Sequence, residues 1–320
     1  MRRLVSAALI GLAAVAASTS LSLAQDSLKL AIGQRGNWDT AMPEIGTRAG
    51  IFKKNNLVLE MLYTAGGGET QQAVISGSAD IGLAAGTIGV MGAFAKGAPV
   101  RIISAEATGV ADYWFVPASS PIKSIKEADG KTIAYSTNGS STHSIVLGFI
   151  RQFGLKNAKP VSTGSVAATW TQGLTGQVDV AFSSPPFGLE AFSKGEIRIV
   201  GRGNDVDAIR NTTIRVNITN ADALGKKKDA ISRFVKAYKE TVDYMYSSDE
   251  ALAQYADFAG VSVELARRMR DEFFPKDIVL PGRFEGLSIL QEEAISNKFL
   301  TVPLTEKQVS DLLQIPDTAK

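Results

Sequence analysis

A strand and helix pattern occurs twice in the chain, and this repeat limits the folds that the sequence can adopt. The thirteen residues from Gly77 to Gly89 match those from Gly176 to Gly188, which lie 99 positions further along. In each copy a glycine and an aspartate lead into an apolar strand, and small residues and a glycine-bearing helix follow. Solenoid repeats have periods of about 20–50 residues. The longer offset therefore predicts two similar lobes, although strand–helix units also resemble one another by chance because they share composition.

Alternation of short apolar runs and amphipathic segments continues through both copies. Strands are predicted at 28–33, 58–63, 80–84, 100–107, 113–116, 132–136 and around residue 161, and helices at 40–52, 69–76, 87–96 and 141–152. The first of these helices is expected to end near Gly50. This order is typical of α/β folds with mainly parallel sheets flanked by helices. A strand at 213–216 is followed by helical patterns at 229–246, 249–259, 263–273 and 284–297, which have no sheet of their own.

The helical third region is expected to pack on the first lobe, which makes that lobe discontinuous. We therefore predict a first lobe from 25–115 and 214–320, with a second lobe at 116–213. The chain would cross between the lobes twice, near residues 116 and 215, and two crossovers form a hinge.

The first 24 residues have the pattern of a secretory signal peptide. Arg2 and Arg3 precede an apolar run at 4–17, and small residues at Ser22 and Ala24 suit cleavage before Gln25. The run is shorter than the roughly 20 residues of a spanning helix, although a retained anchor is the alternative. The chain has no cysteine to carry a lipid. These features predict a periplasmic protein that is not lipidated.

Composition excludes several classes of function. Without cysteine there are no disulfides, thiolate metal sites or cysteine nucleophiles. The chain has 34 basic and 32 acidic residues, and because the predicted signal carries two arginines, the remainder is balanced. Neutral charge argues against nucleic acid as a partner. The single histidine, His143, has no second histidine or cysteine for a metal site. No nucleophile elbow occurs, so we predict neither catalysis, cofactor nor metal.

Candidate ligand contacts follow from the expected sheets, because ligands of open parallel sheets bind beyond the carboxyl ends of the strands. Helix N-termini meet there and offer backbone N–H groups. These strand ends lie at 34–38, 66–69 and 85–87 in the first lobe and at 137–143, 164–167 and 183–187 in the second. The positions chosen within them are Gln34, Arg35, Trp38, Gly67, Gly68, Glu69, Thr87, Asn138, Ser140, Ser141, Thr142, His143, Ser184 and Phe187.

Each of these positions also has a structural interpretation. The hydroxyl run at 140–142 can cap a helix, although capping needs only one hydroxyl. Arg35 could bind an anionic group or lie in a solvated loop, and the glycines at 66–68 could form an ordinary turn. Trp38 and Phe187 could line a pocket or fill the core. Arg35, the hydroxyls and the helix N-termini together favour an anionic organic solute, such as a sulfonate or a carboxylate.

Three segments carry a resemblance to a known family. Residues 120–131, Ser-Pro-Ile-Lys-Ser-Ile-Lys-Glu-Ala-Asp-Gly-Lys, resemble the inter-lobe segment of a family of binding proteins. These are the binding proteins of importers of the sulfonate, taurine and nitrate type, the NMT1/THI5-like family. Residues 49–57 and 77–82 resemble two more of its recurring segments. The similarity extends over roughly residues 28–245.

This resemblance implies a two-lobed periplasmic binding protein fold, similar to type II, that binds a small-molecule ligand in the cleft between the lobes. The partners it implies are an ABC permease and its ATPase, and the expected protein is a monomeric solute-binding protein. Two alternatives remain. The family includes enzymes that build the thiamine pyrimidine, but their cysteine-rich iron motif is absent here. An exported sensor subunit that presents its ligand to a receptor is the other alternative.

Overall fold

The computed structural model describes residues 25–319, and the predicted signal peptide at 1–24 lies outside the described residues. The strands are β1 Asp26–Gly33, β2 Leu57–Thr64, β3 Ile81–Gly86, β4 Val100–Thr108, β5 Tyr113–Pro117, β6 Thr132–Tyr135, β7 Lys159–Ser162, β8 Ala181–Ser183, β9 Ile197–Arg202 and β10 Thr213–Asn220. The helices are α1 Met42–Arg48, α2 Ile51–Lys54, α3 Gly67–Ile75, α4 Thr87–Ala95, α5 Ser141–Gln152, α6 Val166–Leu174, α7 Leu189–Ser193, α8 Ala221–Lys226, α9 Lys228–Ser247, α10 Asp249–Ala259, α11 Val263–Phe273, α12 Leu287–Ser296 and α13 Glu306–Leu312.

The first lobe is built on a five-stranded sheet with the order β2-β1-β3-β10-β4. Strand β1 pairs in parallel with β2 and β3, whereas β10 is antiparallel to β3 and β4. The late strand β10 thus returns to the sheet formed by the first part of the chain. Every residue of β3 and β10 is buried, as expected for central strands covered by helices on both faces.

The second lobe contains a three-stranded sheet with the order β8-β5-β9 and a parallel pair of β6 and β7. A single bridge between Ile133 and Val180 links the two groups of strands. Strand β5 runs antiparallel to both of its neighbours. The sheets are therefore less uniformly parallel than predicted, and β5 and β10 are the exceptions. Each follows a crossover between lobes, so no right-handed βαβ connection fixes its direction.

The predicted helix at 40–52 is two helices, α1 and α2. Gly50 has a left-handed φ of 71° between them, which ends the first helix, and Ile51 begins the next. The long helix α9 buries one face that includes Phe234 and Tyr238, and it packs against α1 and α2 on the first lobe. Between residues 25 and 319, no helix combines the length and the apolar character needed to cross a membrane.

Candidate binding cleft

A small cavity lies where the two lobes meet, at the carboxyl ends of β1, β3 and β6. It is lined by Gly33, Gln34, Asn37, Thr40, Gly67, Ala84 and Arg215 from the first lobe, and by Asp112, Ser136, Ser140, Ser141, Thr142 and Phe182 from the crossover and the second lobe. Its volume of about 10 Å³ is close to the space of one water molecule. The lobes are therefore nearly in contact around it.

Larger grooves lie on the outer surface, but each belongs to one lobe. One of about 570 Å³ is lined by Arg101, Lys228 and Pro316 among others, and another of about 520 Å³ is lined by residues including Trp170 and Phe187. Neither groove is lined by a buried polar atom that lacks a hydrogen-bond partner. We therefore take the cavity between the lobes as the candidate site, although it is the smallest of the three.

Hydrogen bonds connect the lobes on either side of the cavity. Gln34 has a left-handed φ of 63°, and its Oε1 accepts from the N–H of Val166, at the start of α6, at 3.0 Å. The N–H of Gly68, in the first turn of α3, donates to Thr137 Oγ1 at 3.0 Å. A Cβ on Gly66 would lie 2.7 Å from Ser136 Oγ, so this glycine permits the close approach of the second lobe.

The predicted hydroxyl run lines the cavity at the N-terminus of α5. Ser140 is the N-cap, since its Oγ accepts from the N–H of His143 at 3.2 Å. Thr142 Oγ1 lies 3.0 Å from the N–H of Ser136 and 2.9 Å from Ser140 Oγ, so it joins the loop to the helix. Ser141 Oγ instead faces the other lobe. Capping therefore accounts for Ser140, and the other two hydroxyls have separate contacts.

Arg215 is the centre of a buried ion cluster at the cavity. Its Nη1 lies 2.6 Å from Asp39 Oδ2, its Nη2 pairs with Asp112, and its Nε donates to Ser141 Oγ at 3.0 Å. The side chain is 7% exposed. Burial opposes the charge, but the carboxylates of Asp112 and Asp39 raise the pKa of Arg215 above its ordinary value, so the guanidinium stays protonated. From β10, Arg215 thus contacts the first lobe through Asp39, the first crossover through Asp112 and the second lobe through Ser141.

Two buried acids of the first lobe, Asp39 and Glu106, have pKa values that are affected by burial and by the charge of Arg215. Burial raises the pKa of Asp39, and the nearby guanidinium of Arg215 opposes this shift. Burial also raises the pKa of Glu106 well above its ordinary value, and the charge of Asp39 adds to the effect. Glu106 accepts a hydrogen bond from the N–H of Ala84. Burial thus favours the neutral form of Glu106, and Asp39 and Asp112 are the carboxyl groups that pair with Arg215.

Four of the sequence-predicted residues lie in the first lobe away from the cavity lining. Arg35 is exposed, and its guanidinium lies 4.4 Å from the ring centre of Phe258. Trp38 is fully buried in the core and donates from Nε1 to Tyr246. The other two bind backbone locally or across the sheet: Glu69 accepts from the N–H of Ala65, and Thr87 donates to the carbonyl of Thr213.

In the second lobe, four more predicted residues lie outside the lining. Asn138 is exposed and its Oδ1 accepts from the hydroxyl of Tyr135 at 2.6 Å. The ring of His143 stacks on that of Tyr135 at 4.2 Å, and burial lowers the pKa of the histidine. Phe187 lies beside Gly36 and lines the outer groove. Ser184 is fully buried and its hydroxyl has no partner among the described residues.

The cavity thus contains Gln34, Gly67, Ser140, Ser141 and Thr142 of the predicted set, and Gly68 bonds across the cleft beside it. Four important residues were not predicted, namely Asp39, Glu106, Asp112 and Arg215, and Asn37 lies in the predicted range 34–38 but was not singled out. A signal for one of them was present, since an arginine interrupts the apolar strand Thr-Ile-Arg-Val-Asn-Ile-Thr of β10. A buried charge in a central strand requires a partner, and such clusters are concentrated at functional sites.

Fold and cleft together define a two-lobed α/β binding-protein architecture. Solved structures with this fold include the periplasmic aliphatic sulphonate binding protein SsuA from Escherichia coli, at 18% identity over 91% of this chain and 92% of that chain, with a TM-score of 0.67. The periplasmic nitrate-binding protein NrtA from Synechocystis PCC 6803 matches at 13% identity, 91% and 86% coverage and a TM-score of 0.68. The desulfurization enzyme DSZB matches at 16% identity, 92% and 97% coverage and a TM-score of 0.61.

The sequence itself identifies the family. Residues 45–252 match the model of the NMT1/THI5 like family, which is more than half of the chain. The protein therefore belongs to this family, and the predicted family and two-lobed binding-protein fold are both confirmed. Comparison with curated proteins by sequence gives no match.

Proposed function

We propose that the protein is the extracytoplasmic solute-binding component of an ABC importer and captures a small solute between its lobes. The observation that carries this proposal is the cavity lined by polar groups from both lobes, with Arg215 bound to residues of each. Similarity to periplasmic sulphonate-binding and nitrate-binding proteins of the same fold supports it. A permease, its ATPase and a periplasmic location are parts of the same proposal, as is the monomeric state.

Solute capture requires movement of the lobes. The cavity has room for about one water molecule, so any larger solute must enter while the lobes are further apart. We place the hinge at 109–112 and 203–212, the two segments that lead from the first sheet to the second and back. On this division Tyr113–Pro117 belongs to the second lobe, because β5 pairs with β8 and β9. A solute that contacts both lobes would then favour the closed state.

A binding role fits the site better than catalysis, although an enzyme shares the fold. The ring nitrogen Nδ1 of His143 accepts from the N–H of Gly139 at 3.2 Å, and Ser140 Oγ is engaged by the N–H of His143. No nucleophile and base pair results from these contacts. Between residues 25 and 319, no three histidine, cysteine or acidic side chains are placed to hold a metal. Presentation of the solute to a receptor remains the second candidate, since it would use the same cleft.

A thermal-shift screen followed by small-angle scattering tests the proposal. A solute at about 100 times its Kd should stabilise the protein by about 2.7 kcal/mol. The screen should contain sulfonates, carboxylates, inorganic oxyanions, amines and uncharged amides. The best compound should also reduce the radius of gyration at saturation. Ser141→Ala is the cleft variant, and Ser193→Ala on the outer helix α7 is its matched control. A compound that stabilises both variants equally, without compaction, would argue against capture in this cleft.

A further inference from the structure

Asn37 presents an amide to the cavity that no protein group engages. The residue is 1% exposed and lines the cavity between the lobes. Neither its Oδ1 nor its Nδ2 has a hydrogen-bond partner among the described residues. An unpaired buried amide loses its hydrogen bonds to water without replacement, and such groups in native proteins call for an explanation. The amide can accept one hydrogen bond and donate another on the same edge.

The single cation at the cavity is already neutralised within the protein. Arg215 pairs with Asp39 and with Asp112, and its Nε is bound to Ser141. Two carboxylates against one guanidinium leave no net positive charge to attract an anion. A ligand carboxylate or sulfonate that bound the remaining N–H groups of the guanidinium would meet like charge from both carboxylates at close range.

One backbone donor in the first turn of each of three helices at the cleft is also engaged. The N–H of Val166 at the start of α6 binds Gln34, that of Gly68 in α3 binds Thr137, and that of His143 in α5 binds Ser140. An oxyanion gains most at a helix N-terminus when such N–H groups are free to donate to it. Here each of three helices that point at the cleft donates one such N–H to a protein acceptor.

From these three observations we propose that the cleft selects an uncharged solute that carries a carbonyl and an N–H side by side, as in an amide or a lactam. The carbonyl accepts from Asn37 Nδ2, and the N–H donates to Asn37 Oδ1. This inference rests on the proposed solute-binding function and names its substrate class. It differs from the anionic solute that Arg35 favoured, and Arg35 lies over Phe258 outside the cavity.

Calorimetric titration of the protein with three sets of probes tests the class. The uncharged set is 2-pyrrolidone and acetamide, in which an N–H lies on the same side as the carbonyl, the anionic set is methanesulfonate, acetate and nitrate, and the cationic set is methylammonium. We expect the uncharged probes to bind at least tenfold more tightly than the others. Tighter binding of methanesulfonate or nitrate would overturn the substrate class and leave solute capture standing. Absence of binding in all three sets would overturn both.

Variants then locate the recognition. Asn37→Asp replaces the donor with a carboxylate and should weaken amide binding at least tenfold, whereas Asn217→Asp is a matched control. Asn217 is also buried with an unpartnered Oδ1, but it bonds Ser104 within the first lobe and does not line the cavity. If Asn37→Asp fails to fold, Asn37→Ser removes the same amide without adding charge. Unchanged amide affinity in a folded Asn37 variant would overturn the assignment.

A third variant tests the neutralised cation. Asp112→Asn keeps the shape of the side chain but removes one of the two carboxylates that pair with Arg215. The guanidinium, then paired with the carboxylate of Asp39 alone, should bind methanesulfonate or nitrate at least tenfold more tightly than the original protein does. If anion affinity does not rise while the variant remains folded, the carboxylate of Asp112 is not what keeps anions from Arg215, and the inference fails on this point.

Discussion

Replacing Gly89 by alanine should prevent the lobes from reaching the contact seen in the structure. A Cβ on Gly89 would overlap the carbonyl oxygen of Gly139 and would lie 2.8 Å from its carbonyl carbon and 2.9 Å from its Cα. These are backbone atoms of the loop before α5, so rotation of a side chain cannot relieve the overlap. Carbon atoms pack at about 3.5 Å or more, so the loop must retreat by at least about 0.7 Å.

The size of the effect follows from the hydrogen bond beside this contact. The bond from Arg215 Nε to Ser141 Oγ is 3.0 Å long, and a retreat of about 0.7 Å takes it beyond the usual limit of about 3.2 Å. Hydrogen bonds to charged groups contribute about 1.5–3 kcal/mol, so solute affinity should fall about 10- to 100-fold as the closed state is destabilised. The fold itself should tolerate the change, because Gly89 lies in α4 and alanine is the better helix former by up to about 1 kcal/mol.

Titration calorimetry and scattering on the variant check this reasoning. Gly225→Ala in α8 is the control, because no atom lies within 4 Å of the Cβ position there. The best solute from the screen should bind the control normally and compact it. It should bind Gly89→Ala weakly and reduce its radius of gyration less. Equal affinity and equal compaction of the two variants would refute the idea that this backbone contact belongs to the solute-bound state.

Three further predictions concern a cap, an inter-lobe ion pair and a buried acid. Ser140→Ala should lower the free energy of unfolding by about 1 kcal/mol in urea denaturation, because it removes the N-cap of α5; an unchanged unfolding midpoint would contradict this. Arg151→Ala removes a partly exposed pair with Glu293 across the cleft, so solute affinity should fall less than tenfold by calorimetry, and a larger loss would contradict a rim position. Glu106→Gln should flatten the pH dependence of unfolding. Burial raises the pKa of Glu106, so the unfolded chain loses its proton first and stability should decline as pH rises above 4.5. Denaturation of both proteins from about pH 4 to about pH 8 measures this, and identical slopes would contradict it.

The bounds of several helices could be predicted from the sequence because local signals determine where those helices begin and end. Helices α10 and α11 match the predicted ranges 249–259 and 263–273. Their N-caps, Ser248 and Ser262, each accept from an N–H three residues further on, and an amphipathic pattern follows each cap. The predicted helix at 40–52 was expected to end near Gly50, and the left-handed Gly50 does follow the end of α1, but the short helix α2 then begins at Ile51, which was not predicted. A glycine within a helical pattern does not itself reveal which of these outcomes the tertiary structure will select.

The residues of the cleft were harder to predict from the sequence, because only tertiary packing brings them together. Arg35 immediately follows Gln34, which lines the cavity, but its side chain lies on the outer surface over Phe258. Arg215 is far away in sequence from the residues that it binds, Asp39 and Ser141. Sequence position beyond a strand end predicts where the backbone lies, and it does not predict which way a side chain turns. Asn37 lies in the predicted range 34–38 but was not singled out for the same reason, since nothing local marks its amide as unpaired.

The place of Arg215 in the fold connects the hinge to the cleft. It lies in β10, immediately after the second crossover, and it binds Asp112 in the first crossover, so both hinge segments meet at one guanidinium. Its bond to Ser141 is the only one of its three side-chain contacts that reaches α5 of the second lobe. Separation of the lobes must break that bond and can leave the two ion pairs intact. The charge of Arg215 is therefore neutralised whether the lobes are apart or together. Only the closed arrangement of the lobes adds the hydrogen bond to Ser141. The cluster thus favours closure without creating a positive charge that an anion could use.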